Sequence, residues 1–130
     1  HIGNVCETRE YGSIPYTTPT GDNVRLYIAV LDEVPDYIVP TLVAHTMLGA
    51  HLRFSEHDQY NNWLVNSFKK CVVRVNKKEF GHIALMPNTY LGYENTTLNG
   101  ITTCAIPLPV PSTELPKVLK FAKLWKPIEV

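Results

Sequence analysis

The chain has 130 residues, a formal net charge of zero, 45% hydrophobic residues and 18% charged residues. A length of this order holds one domain and is short for two, and it buries about two-thirds of its unfolded surface without a metal or disulfide staple. The charge balance excludes a strongly basic duplex-DNA-binding domain, and the apolar content excludes a disordered chain.

Residues 1–24 are rich in Gly, Pro, Thr and Tyr, and read as a loose N-terminal arm with a short strand near Val5–Arg9. Residues 25–130 read as a single α/β domain. Arg25–Leu31 is apolar at almost every position, which suits a strand buried on both faces. The acidic loop Asp32–Asp36 leads into a helix whose first turn accommodates Pro40. Its expected packed stripe is Val39, Val43, Met47 and Ala50, widened by Leu42, Ala44, Leu48 and Leu52. That stripe places His45 near the packed face. Ser55 and Asp58 resemble a capping box for a second helix, which carries Tyr60, Trp63, Leu64 and Phe68 and ends at Lys69 and Lys70.

Cys71–Val75 reads as a strand, Asn76–Gly81 as a turn and His82–Met86 as the next strand, a spacing that favours a hairpin. Asn88–Gly100 reads as a long polar loop, Ile101–Leu108 as a strand and Thr113–Trp125 as a last helix ended by Pro127. The order β, α, α, β, β, β, α predicts a mixed four- to five-stranded sheet covered by helices. Three cysteines without paired spacing form no disulfide framework, and Cys71 and Cys104 read as small buried apolar residues. A reducing, cytoplasmic setting is the resulting expectation. No apolar run reaches the roughly 18 residues of a membrane span.

Chemistry-bearing residues fall into four groups. No histidine pair has the i, i+4 spacing of a helical metal site, so neither a metal nor another cofactor is expected. His45, at a strand–helix junction, is the candidate acid or base. Asp32 and Asp36 follow the first strand at its C-terminal end, where open α/β sheets bind ligands. Lys69, Lys70, Arg74, Lys77 and Lys78 lie within ten residues that contain no acid, and Lys117, Lys120 and Lys123 recur further on. Each basic group alone fits solvated surface, but a meeting of the two on one face favours an anionic ligand. The 88–100 loop adds Tyr90, Tyr93, Asn95, Thr96, Thr97 and Asn99, residue types suited to hydrogen bonding and base stacking. Asn95-Thr96-Thr97 also matches the glycosylation acceptor pattern, a short motif common by chance.

Leu26–Leu31, then Ile38–Ala50 with Ala44-His45 and Leu48-Gly49-Ala50, then Trp63 ahead of Lys70–Val75, resemble the type II peptidyl-tRNA hydrolase superfamily. Thr102–Pro109 and Glu114–Trp125 are similar to that family's last strand and helix, so the resemblance spans residues 25–125. It implies a peptidyl-tRNA hydrolase-like α/β fold. It also implies a lysine opening the first helix, a glutamine one turn before Ala-His, and an aspartate before the last strand. Those places hold Ile38, Leu42 and the aspartate-free stretch 88–100, where Glu94 is the sole acid. The helix expected between the second and third strands is read as the 76–81 turn.

The expectation is therefore a non-catalytic module that binds a nucleotide or RNA end. A ligand-sequestering role of the kind found in phages would fit such a module. The alternatives are a divergent hydrolase of peptidyl-tRNA or another ester or phosphoester, using His45 and Glu94, and an oligomeric structural subunit. Homo-oligomerisation is expected, and membrane or duplex-DNA partners are not.

Overall fold

The computed structural model describes residues 24–94 and 101–127. The 1–24 arm therefore lies outside the described residues except for Val24.

Strand β1 (Val24–Leu31) sits inside the sheet and is buried along nearly its whole length, as its unbroken apolar run dictates. A 3-10 turn at Asp36–Ile38 leads into helix α1 (Val39–Phe54), with a proline in its first turn. Helix α2 (Asp58–Asn66) follows and then strand β2 (Lys69–Val75), parallel to β1 with Leu26 opposite Lys70 and Val30 opposite Arg74. Helix α3 (Lys77–Ala84) returns the chain to β3 (Thr89–Glu94), which pairs antiparallel with β4 (Ile101–Pro107). Then come β5 (Val110–Pro111), a 3-10 turn at Ser112–Glu114, α4 (Lys117–Lys120) and β6 (Lys123–Leu124). The sheet is mixed and six-stranded, in the order β3-β4-β1-β2-β6, with β5 pairing β1 off this path.

The two parallel crossovers run in opposite directions, β1 to β2 and β2 back to β3. Right-handed connection of both puts α1 and α2 on one face and α3 with α4 on the other. The α1–β4 packing and the α3–α4 packing agree with this layering.

Several expectations need correction. Among the described residues the sheet has six strands rather than four or five, because β3, β5 and β6 join it while residues 82–86 give no strand. Lys77–Ala84 form a helix where a turn and the start of a strand were expected. The Asn76 side chain accepts the Glu79 N–H at 2.8 Å and the Glu79 carboxylate accepts the Asn76 N–H at 2.8 Å, a complete capping box. Phe80 and Ile83 then bury one helical face. Ser55 does not open α2. It ends α1, and its hydroxyl reaches back to the Leu52 carbonyl at 3.5 Å, while Lys69 and Lys70 belong to β2. The last helix is one turn long, with Pro116 as its N-cap, and Trp125 lies beyond it. Finally, Cys71 is disulfide-bonded, while Cys104 is a free buried thiol. The bond at Cys71 removes the cysteine-based argument for a reducing setting.

The described part of the expected 88–100 loop is mostly strand β3 (Thr89–Glu94), held to α1 by two close approaches. A Cβ on Gly49 would lie 2.2 Å from the Tyr90 hydroxyl, and one on Gly92 would lie 2.3 Å from Thr46 Oγ1. Glycine at these positions brings helix and strand together. Among the described residues no helix is long and apolar enough to cross a membrane.

Candidate functional site

The alternation of β2 decides which of its side chains reach solvent. Cys71, Val73 and Val75 are buried, while Lys70, Val72 and Arg74 point to the other face and are partly exposed. β6 extends that face. Lys123 lies opposite Arg74 and Leu124 opposite Val73, and the Trp125 N–H donates to the Val72 carbonyl at 2.8 Å. Lys123 and Trp125 therefore share a face with Lys70, Val72 and Arg74. Lys77 and Lys78 open α3 just past the end of β2, and Lys120 ends α4, which packs against α3.

The two basic groups of the sequence, 69–78 and 117–123, thus meet along one sheet edge. Arg74 is its centre. Its guanidinium lies 3.3 Å from an Asp36 carboxylate oxygen, donates to the Lys126 carbonyl at 2.5 Å, and sits 5.2 Å from the Trp125 ring centroid. These contacts fix the guanidinium plane. Asp36 balances part of its charge, and both side chains keep about a fifth to a quarter of their surface in solvent (21% and 25%).

Lys70 is held differently. Its ammonium donates to the Phe68 carbonyl at 2.7 Å and lies 3.4 Å from the Phe68 ring centroid and 5.4 Å from that of Trp63. Burial pulls its pKa down to about 8. The aromatic seat is itself built locally. Trp63 is buried, its indole N–H donates to the Lys69 carbonyl at 2.7 Å, and Phe68 stacks on it at 5.6 Å. Phe68 adopts φ 69°, a strained conformation for an aromatic residue, and its N–H caps α2 on the Trp63 carbonyl at 2.7 Å.

Beside Lys123 the exposed Phe121 ring has the Lys120 ammonium 5.9 Å from its centroid. The edge therefore combines convergent cations with an accessible aromatic face.

The other candidates lie elsewhere. His45 is exposed, not half-buried: the buried face of α1 is Val39, Leu42, Thr46, Ala50 and Phe54, which turns His45 outward with Ala44, Leu48 and Leu52. Ile38 and Leu42 are core residues. Asp32 is exposed, and its N–H donates to the Val75 carbonyl at 2.8 Å, tying the end of β1 to the end of β2. Lys77 is exposed at the start of α3. Tyr90 packs over Gly49 on β3, at the opposite edge of the sheet from β6. The backbones of Tyr93 and Glu94 pair with Thr102 and Ile101 on that same distant edge. Asn95, Thr96, Thr97 and Asn99 lie outside the described residues. The tyrosine strand and the basic strand are thus separated by β4 and β1 and do not form one site.

Lys120 and Lys123 were visible as basic residues, but Phe121 and Trp125 went unrecognised as site residues. The available signal was the alternation Lys123-Leu124-Trp125, a two-residue period that fits a strand better than a helix. Among the described residues no cluster of three or more His, Cys, Asp or Glu has metal-binding geometry. No protein-family model matches the chain, and no curated protein matches it significantly.

Proposed function

We infer that the chain is a binding module for a phosphate-bearing ligand, a nucleotide or an RNA end, and that it uses the β2–β6 edge rather than a catalytic centre. The observation that carries this reading is the pairing of Arg74 with Lys123, which joins two separate basic groups around aromatic rings in a chain of zero net charge. Concentrated positive charge on a neutral molecule raises the local concentration of anions and orients them. Bidentate donors on a fixed guanidinium suit phosphate.

Among the described residues no acid–base pair converges on His45, which weighs against the hydrolase alternative. His45 is exposed and has no hydrogen-bonded acid or base among the described residues. Ile38 and Leu42 supply only apolar surface to the core. The scaffold still fits the resemblance to type II peptidyl-tRNA hydrolases, since α3 supplies the helix expected between the second and third strands. On this reading the module keeps the scaffold and moves recognition to the sheet edge.

Isothermal titration with nucleoside monophosphates and short oligoribonucleotides tests the reading. Binding is expected for the native protein and lost on Lys123→Glu, with Arg53→Glu on α1 as a charge-matched control. Equal binding by both variants, or no binding by the native protein, would contradict it.

A second reading rests on a different surface. Leu48 and Leu52 on α1 are 63% and 71% exposed, an apolar stripe that suits contact with a second copy of the chain. Native mass spectrometry of the protein and of Leu48→Glu checks this. A dimer abolished by the substitution is expected, and a monomeric native protein would remove the reading.

A further inference from the structure

Three features of the β2–β6 edge bear on how much ligand it accepts. The first is length. Lys70 and Arg74 are four residues apart on one strand face, about 13 Å at strand rise, which is wider than a single phosphate spans. The second is the arrangement of cations into three positions. Lys70 stands near the N-terminal end of β2, the Arg74–Lys123 pair lies across adjacent strands one residue before its C-terminal end, and Lys77 and Lys78 open α3 just past that end. The third is Phe121, whose ring is 72% exposed, two residues before Lys123 and next to the Lys120 ammonium. An exposed aromatic ring within a line of cations is what a nucleobase stacks on while its backbone follows the charges.

We propose that the β2–β6 edge is a track for a single-stranded polynucleotide, with its phosphates on the Lys70, Arg74–Lys123 and Lys77–Lys78 positions in turn and one base stacked on Phe121. This rests on the phosphate-binding reading above and narrows it from any nucleotide to an extended strand of several. Backbone contacts dominate, so RNA and DNA strands share the chemistry.

Fluorescence anisotropy with the full chain tests this, using a mononucleotide, a trimer, a hexamer and a nonamer of uridine, the thymidine hexamer, and an RNA duplex. Affinity is expected to rise about tenfold or more from mononucleotide to hexamer and then to level off, with log K falling against log salt at a slope of about −2 for three phosphates on a single strand. Phe121→Ala is expected to weaken the hexamer about fivefold or more. Its side chain is exposed, so a thermal melt matching the native protein is expected alongside. A mononucleotide binding as tightly as the hexamer, with a slope no steeper than about −1, overturns the track and leaves the phosphate site standing. A preference for the duplex, or an unaffected Phe121→Ala, also overturns it. Failure of every probe to bind removes the underlying reading as well. Weaker binding by the thymidine hexamer than by its uridine counterpart would contradict the shared-backbone basis of the track.

Discussion

Gly92→Ala is the sharpest stability test of how the sheet is held to its helical layer. A methyl group there would sit 2.3 Å from Thr46 Oγ1, 2.8 Å from its Cγ2 and 3.0 Å from its Cβ. Thr46 is buried in the middle of α1 and is short and branched at Cβ, so no flexible end can swing away. The overlap must be relieved by moving α1 off β3, in a region that also holds Thr103 donating to the Gly92 carbonyl at 3.2 Å. Overpacking of this kind costs about 1–3 kcal/mol, and backbone movement puts this case near the upper end. A chain of this size unfolds with an entropy of about 0.27 kcal/mol/K, so a loss of about 2–3 kcal/mol lowers Tm by roughly 7–11 °C. Differential scanning calorimetry reads this directly. Thr46→Ala in the same chain removes the two clashing atoms beyond Cβ, Oγ1 and Cγ2, and should return at least about 1 kcal/mol as a favourable coupling in the double-mutant cycle. A Gly92→Ala protein as stable as the native one, or a cycle with no coupling, would refute the packing described for α1 on β3.

Three further outcomes follow from particular residues. Lys70 has a folded pKa of about 8 against an ordinary 10.5, so between those values the unfolded chain holds more protons and stability rises with pH. The rise should be clearest from pH 8 to 10, before the Tyr60 phenol, pushed up to about 12 by burial, begins to act in the opposite direction. Urea denaturation should show the rise in the native protein and its absence in Lys70→Met. Asn76→Ala breaks the capping box of α3 and should cost about 1 kcal/mol by urea denaturation, with Asn76→Asp recovering most of it. Reducing the disulfide at Cys71 should cost about 2–4 kcal/mol, visible as a lower denaturation midpoint in a phosphine reductant, and an unchanged midpoint would contradict a structural role for that bond.

Much of the core was legible in the sequence. The unbroken apolar run of β1 could only be a central strand, and the proline and apolar spacing of α1 located its helix. What could not be read there has identifiable physical causes. The spacing of α1 apolar residues fits two faces, and only the position of β3, brought close by Gly49 and Gly92, selects the one that leaves Leu48, Leu52 and His45 outside. His82–Met86 is apolar enough for a strand, and the Asn76–Glu79 cap that makes it helical is a pair of reciprocal hydrogen bonds rather than a hydrophobic pattern. The site was half visible. Lys70, Arg74 and Lys77 were recognised from their density, but their partners depend on β6, a two-residue strand that gains its order from pairing with β2. The only signal for a strand that short is the three-residue alternation Lys123-Leu124-Trp125, too brief to outweigh the helical spacing before it, so Lys123 and Trp125 read as the end of a helix.

The location of ligand contact is the most direct measure of the central claim. Two-dimensional amide and side-chain N–H spectra recorded during titration with an oligouridine hexamer would map it. Shifts should concentrate at residues 70–78 and 120–126, including the Arg74 guanidinium and the Trp125 indole N–H, and spare α1 and β3. Shifts centred instead on His45 and Tyr90, with the β2–β6 edge unchanged, would contradict the account.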